Sequence, residues 1–264
     1  MPAIQWLSAR LSAGLALILC LLIVAGPGKA ATVVGLVSDR SAAELAAGAQ
    51  RFLERYPEHR VALRTPDQLA VMDDHALGEL LDRADAILVA AVFGDQVGRL
   101  ERLLSDRAGH RPVPVLAING DRRLTRLSRL DGKALLDGAT DELLTRLMAA
   151  PEPGADLRAH LLSLAANFPA QARWLEGRSL YQGRTPEHLD ALLRWLLVQS
   201  GELLEIPQLP PRELIRYYRH GRSVADASAL KLGTGPVVAV LDLDSGDRPG
   251  DRQLLDALCG ALES

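Results

Sequence analysis

Residues 85–94 read "DAILVAAVFG". Eight apolar residues stand in a row between Asp85 and Gly94. The run is too short for a buried helix and too continuous for a strand with one wet face. It predicts a central strand covered on both sides, as in a parallel sheet. Three further stretches of the same kind lie around it: "TVVGLVSD" (32–39), "HRVALR" (59–64) and "VPVLAING" (113–120). Helical spacing fills the gaps. Leu45, Ala46, Ala49, Phe52, Leu53 and Tyr56 mark one face of a helix over 41–56. "DHALGELLDRA" (74–84) predicts a short helix capped at Asp73 or Asp74, and "DQVGRLERLLSDRA" (95–108) a third.

Strand and helix thus alternate from 32 to 120, with Gly94 and Gly120 directly after strands. This predicts an α/β fold, a mostly parallel sheet with flanking helices. The sequence has neither GxGxxG nor GxxxxGK[ST], so the fold by itself implies no nucleotide. Open sheets of this kind bind ligands at the carboxyl ends of their strands, which makes Phe93, Gly94, Asp95, Asn119, Gly120 and Asp121 a candidate rim.

From 133 the pattern changes. Residues 133–204 form an all-helical segment broken at "PEPG" (151–154), with Leu189, Leu192, Leu193, Leu196 and Leu197 on one helix face. A proline-rich and polar connector spans 205–235. The apolar run 236–242, a loop with Gly246, Pro249 and Gly250, and an amphipathic run with Leu254, Leu255, Leu258 and Leu262 read as the start of a second α/β domain over 236–264. The expected division is therefore 1–30, 31–132, 133–204, 205–235 and 236–264.

Residues 1–30 have the three parts of a secretory leader. Arg10 supplies the charge, "LSAGLALILCLLIVA" (11–25) is an apolar run of 15, and Gly28 and Ala30 are small residues at the −3 and −1 positions of a cleavage site. The run falls short of the ~20 residues a membrane span needs. Cleavage after Ala30 predicts a periplasmic or secreted chain with no stable span, and an uncleaved leader would anchor it. Removing Arg10 and Lys29 takes the formal charge from −3 to −5. One cysteine then remains, Cys259 between Leu258 and Leu262, so the mature chain has no internal disulfide. Aromatics make up 4% of the residues and the cations form no long block, which argues against a nucleic-acid partner.

Three stretches carry candidate chemistry. "VVAVLDLDSG" (237–246) ends a strand in Asp242-x-Asp244, the pattern of a phosphoryl-transferring aspartate pair, but only 20 residues follow Asp244 to supply its other parts. Two solvated carboxylates is the preferred reading. "RYYRHGR" (216–222) could bind an anion or stack on a flat ring, or be a solvated loop. "RRLTRLSRLDG" (122–132) sets Arg122, Arg123, Arg126 and Arg129 after a strand, where a cationic helix start could hold a carboxylate-rich ligand. A solvated basic face is the alternative. His59, His75, His110, His160 and His188 share no metal-ligand spacing, and no Cys-x-x-Cys exists.

Taken in order, these pieces resemble the head of the large subunit of the cobaltochelatase and magnesium chelatase family. "ADAILVAAVFGDQVGRLERLL" (84–104) precedes a strand, and then Leu124, Thr125, Arg126, Leu127, Arg129, Leu130 and Asp131 match a family motif. Asp156, Arg158, Leu161, Leu164, Leu189, Leu192, Arg194 and Leu197 match a helical block. Tyr218 and His220 are the nearest equivalents of a Tyr–His segment. Gly250, Asp251, Asp256, Ala257, Leu258, Leu262 and Glu263 fit the opening of the family's next domain. The chain departs from the family at Asn167 and Phe168, which replace an aromatic pair, and at Asp242–Ser245. The resemblance implies an N-terminal fragment of a subunit that inserts cobalt into a corrinoid in cobalamin biosynthesis, with ATP hydrolysed by partner ATPase chelatase subunits. Such a fragment would bind the tetrapyrrole, with Arg126, Arg129, Tyr218 and His220 as candidate contacts, and would not be catalytic alone. The alternative is an exported, stand-alone module for a tetrapyrrole or metal complex.

Overall fold

Alternation within each strand builds two cores. Val33, Val37, Ala86, Leu88, Ala90 and Leu116 face one side of the sheet, while Val34, Leu36, Ile87, Val89, Val115 and Ala117 face the other. Both sets are buried, which is why the runs read as continuously apolar rather than alternating. The computed structural model describes residues 30–109, 111–149, 157–209, 217–219, 222–224, 226–230, 238 and 251–263. The body of the leader, His110, the 151–154 break, Asp156, His220, Gly250, the apolar run apart from the backbone of Val238, and the Asp242–Asp244 pair lie outside them.

The sheet runs β2-β1-β3-β4-β5-β6. Its strands are β1 (Thr32–Val37), β2 (Arg60–Arg64), β3 (Ala86–Ala90), β4 (Val115–Ile118), β5 (Arg129–Leu130) and β6 (Lys133–Ala134). The first four are parallel, with Val34 opposite Ala62 and Ile87, and Leu88 opposite Leu116. β5 and β6 are antiparallel. The expected mostly parallel sheet with flanking helices is what forms.

On one side lie α2 (Pro66–Val71), α3 (Asp74–Asp82), α4 (Gln96–Arg107) and α5 (Arg122–Thr125). Asp73 caps α3, its carboxylate accepting from Ala76 N at 2.7 Å. The other side carries α1 (Asp39–Arg55), whose cap is Ser38, and helices from the later segment. That segment consists of α6 (Asp141–Met148), α7 (Leu157–Asn167), α8 (Ala172–Gly183) and α9 (Pro186–Gln199). Trp174 and Trp195 are fully buried there, and the indole of Trp174 donates to Ala117 O at 3.0 Å. A Cβ at Gly177 would sit 2.8 Å from Leu116 and one at Gly48 2.5 Å from Leu189, so both glycines permit close approach. Helices that read as a separate segment thus complete a layer on the sheet, and Ala31–Ser264 forms one unit.

Two details differ from the expected pattern. The basic helix after β4 stops at Thr125, and Arg129–Ala134 fold back as the β5–β6 hairpin. Asp131 and Gly132 have φ of 51° and 71°, which makes this a two-residue turn of the kind Asp-Gly favours. "RYYRHGR" supplies β7 (Tyr217–Arg219) and opens β8 (Arg222–Val224), an antiparallel pair, and α10 (Asp251–Glu263) follows later.

Candidate functional site

The chain leaves β1 through α1 on one face and returns to β3 through α2 and α3 on the other. The carboxyl ends of β1, β3 and β4 therefore form the crevice where open sheets hold ligands. Ser38 N still donates to Ala90 O at 3.2 Å, and Ala91 N to Ile118 O at 3.3 Å, so the strands stay paired to their tips. Beyond that point the backbone turns sharply. Ala91 has φ 55° and Gly94 φ 71°. The left-handed conformation costs Ala91 about 1–2 kcal/mol, strain of the kind that gathers at functional loops.

Asn119 ties the tips together. It is buried, donates from Nδ2 to Val92 O at 2.8 Å, and accepts from Asp121 N at 3.0 Å. Thr125 Oγ1 donates to Asn119 O at 2.7 Å. The β3 and β4 loops are thus one hydrogen-bonded piece. On it lies Phe93, 60% exposed. One ring carbon is 3.2 Å from where a Cβ on residue 120 would stand, so the ring rests on Gly120 because that residue has no side chain. An exposed aromatic whose edge rests on a braced loop can stack on a planar ligand.

Charged groups follow directly after Gly120 in the chain. Arg123 pairs with Asp121 at 2.9 Å and holds that carboxyl below its usual range. Arg122 and Arg126 share Asp141, at 3.0 and 2.9 Å, and this carboxyl too is lowered, first by Arg126 and then by Arg122. Two guanidinium groups against one carboxylate leave these three groups with a formal charge of +1.

The four sequence-derived contacts fall in different places. Arg126 also donates to Ala139 O at 2.7 Å, on the α6 side of the sheet. Arg129 points to the opposite side, where it is 8% exposed and donates to Leu104 O at 3.1 Å in the last turn of α4. Burial lowers its pKa, and its Nε has no hydrogen-bond partner. It answers the carbonyls at a helix end. Tyr218 donates to Asp256 of α10 at 2.8 Å. His220 lies outside the described residues.

A second polar cluster has no local sequence signal. Ser41 and Tyr181 hydroxyls meet at 2.8 Å, and Arg184 pairs with the buried Glu44 at 2.5 Å while its guanidinium sits 4.7 Å over the Tyr181 ring. These residues are about 140 positions apart and join α1 to the end of α8. A mainly apolar groove of about 680 Å³ lies between α1 and β2, lined by Ala49, Leu53, Val61 and Leu63 among others, and its polar lining residues Gln50 and Glu54 bond each other at 3.2 Å. Among the described residues no group of three His, Cys, Asp or Glu is placed to hold a metal ion, and no helix is long and apolar enough to cross a membrane. No protein-family model matches the chain, and no curated protein matches it.

Proposed function

We propose that this chain is the N-terminal part of a cobaltochelatase-like large subunit and that its share of the work is to hold a tetrapyrrole. Cobalt is a substrate in this reading, and ATP belongs to partner subunits. The chain binds and does not insert. The observation that carries the reading is Phe93, an exposed ring at the strand tips with one edge seated against Gly120. A corrinoid or porphyrin offers a broad planar face for that ring. Its acidic side chains suit the Arg122–Arg126 pair, which outnumbers Asp141. The reading moves the expected contacts away from Arg129 and Tyr218, which have structural partners.

The test is absorption titration of residues 31–264 with hydrogenobyrinate diamide and with a dicarboxylate porphyrin. Binding stronger than to serum albumin is expected, weakened about tenfold by Phe93→Ala, in line with one aromatic stacking contact. Affinity no better than albumin's, or unchanged in the variant, removes the proposal. A second reading, an exported stand-alone binder, is favoured by the leader pattern of residues 1–30. It predicts a native mass in periplasmic extract equal to this chain less its leader, whereas the subunit reading predicts one several-fold larger.

A further inference from the structure

The start of β1 has an unusual termination. Ala30 is exposed, while Ala31 is 1% exposed and opens the compact unit. Among the described residues Ala31 N pairs with no backbone carbonyl of a neighbouring strand. It donates to Nδ1 of His59 at 3.1 Å. The imidazole is 4% exposed and its ring centroid lies 5.7 Å from that of Phe52, so it is fixed in place. Nδ1 accepts, so the neutral ring carries its proton on Nε2, which lies 3.7 Å from a Glu58 carboxylate oxygen. One residue along, Thr32 N donates to Asp85 Oδ2 at 2.8 Å, and Arg111 holds the other oxygen of Asp85 at 2.6 Å. The Ala31 carbonyl accepts from Arg60 N at 2.9 Å.

We propose that Ala31 is the first residue of the working chain and that His59 is the receptor for its α-amino group. The inference rests on the leader reading of residues 1–30 and is independent of any ligand. The processing step is hydrolysis. The bond between the Ala30 carbonyl carbon and Ala31 N breaks, and water supplies hydroxyl to the new Ala30 carboxyl and a proton to the nitrogen. The freed amine has an ordinary pKa of about 7.7–8.0 and is an ammonium group at neutral pH. It inherits an aimed acceptor, and its bond to Nδ1 becomes charge-assisted, about twice as strong as that of the amide. The Glu58 carboxylate behind the ring favours an ammonium over a neutral amide at this position, while the charge of Asp85 beside Thr32 is offset by Arg111. Departure of the exposed Ala30 opens the remaining N–H groups to water. A central strand can thus begin at the first residue of a chain without a buried, unpaired terminus.

The test has two arms. The protein exported with its own leader is purified and its N-terminal residue read, and Ala31 is expected. Two exported chains are then compared, one starting at Ala31 and one retaining Ala30, each with His59 and with His59→Phe, which keeps the ring on Phe52 and removes the acceptor. His59→Phe is expected to reduce the folded-to-unfolded ratio about tenfold more in the chain that starts at Ala31. If the His59→Phe variant of either chain is too unstable to measure, His59→Leu, which also has no acceptor, replaces it in both. A different natural first residue overturns the proposal. So does an equal penalty in the two chains, which would mean the ammonium group turns to water and leaves His59 a structural residue only.

Discussion

The two faces of the sheet close in different ways. The face under α2, α3 and α4 is built from residues 34–127, and most of its helices lie in the chain between the strands that they cover. Its ion pairs stay outside: Arg99 meets Asp74 and Arg107 meets Asp82, carboxylates that are more than half exposed, and the buried Arg129 pairs with a carbonyl rather than a carboxylate. The other face takes α1 from the same stretch but recruits α8 and α9 from residues 172–199. There the charges go inside. Asp190 and Arg194 are 3% and 5% exposed, Glu44 meets Arg184, and Arg178 donates to the last carbonyls of α6, burial pushing its pKa down to about 10. Periodicity suffices where helix and strand are neighbours in sequence. Helices that arrive from far away are located by glycine contacts and polar locks.

The strongest way to break this comparison is to remove the distant helices. A chain covering 31–149 keeps every strand of the main sheet but exposes Val33, Val37, Leu88 and Leu116 to water. It is expected to show no cooperative thermal transition by circular dichroism. A sharp transition would mean that the first face alone sustains the fold. Next in size is a pair of substitutions that contrasts the two kinds of ion pair. Asp190→Ala leaves Arg194 buried without its carboxylate and is expected to cost about 3–5 kcal/mol in urea unfolding. Asp82→Ala removes an exposed partner of Arg107 and is expected to cost about 0–1 kcal/mol. Replacing Asp190 and Arg194 together by Leu and Met should recover most of the larger loss. Equal costs for the two single substitutions would erase the distinction between the faces.

The sequence is most legible where its signals are local. "DAILVAAVFG" and its three companions mark the parallel strands, and the cap expected near Asp73 is there. The rim is legible too, because strand tips are placed by topology alone: Phe93 and Asn119 sit where the alternation puts them. The β5–β6 hairpin escapes a reading of 122–132 as a cationic helix start, although Asp131-Gly132 is a strong turn signal, because Arg122, Arg126 and Arg129 before it fall at helical spacing. Arg129 is misplaced for the same reason. One residue of register sends a strand side chain to the opposite face, here into the core by α4 rather than toward a ligand. The Ser41–Tyr181 and Glu44–Arg184 contacts leave no trace in any window of sequence, because each partner is ordinary until the fold joins them.

The smallest expected effect lies at the rim and sharpens the comparison from the exposed side. Asp141 stands in the first turn of α6, after a cap in which Thr140 Oγ1 accepts from Leu143 N at 3.1 Å. Its carboxyl is held below the usual range by the hydrogen bond from Arg126, and further by Arg122. Because the folded state binds this proton less readily than the unfolded chain, the stabilisation is present above the unfolded pKa, near 3.9, and fades as pH falls through the lower folded value. Asp121 behaves alike through Arg123. Both groups are open to solvent, so salt screens them and the effect is slight. Replacing Arg126 with Met should therefore flatten the loss of stability below about pH 4 while leaving the neutral-pH urea midpoint nearly unchanged. The contrast is with Asp190, whose partner is buried: there the neutral-pH midpoint itself should move. A large neutral-pH loss in Arg126→Met would instead make its bond to Ala139 O a lock of the buried kind, and would place the rim with the distant face rather than with the surface.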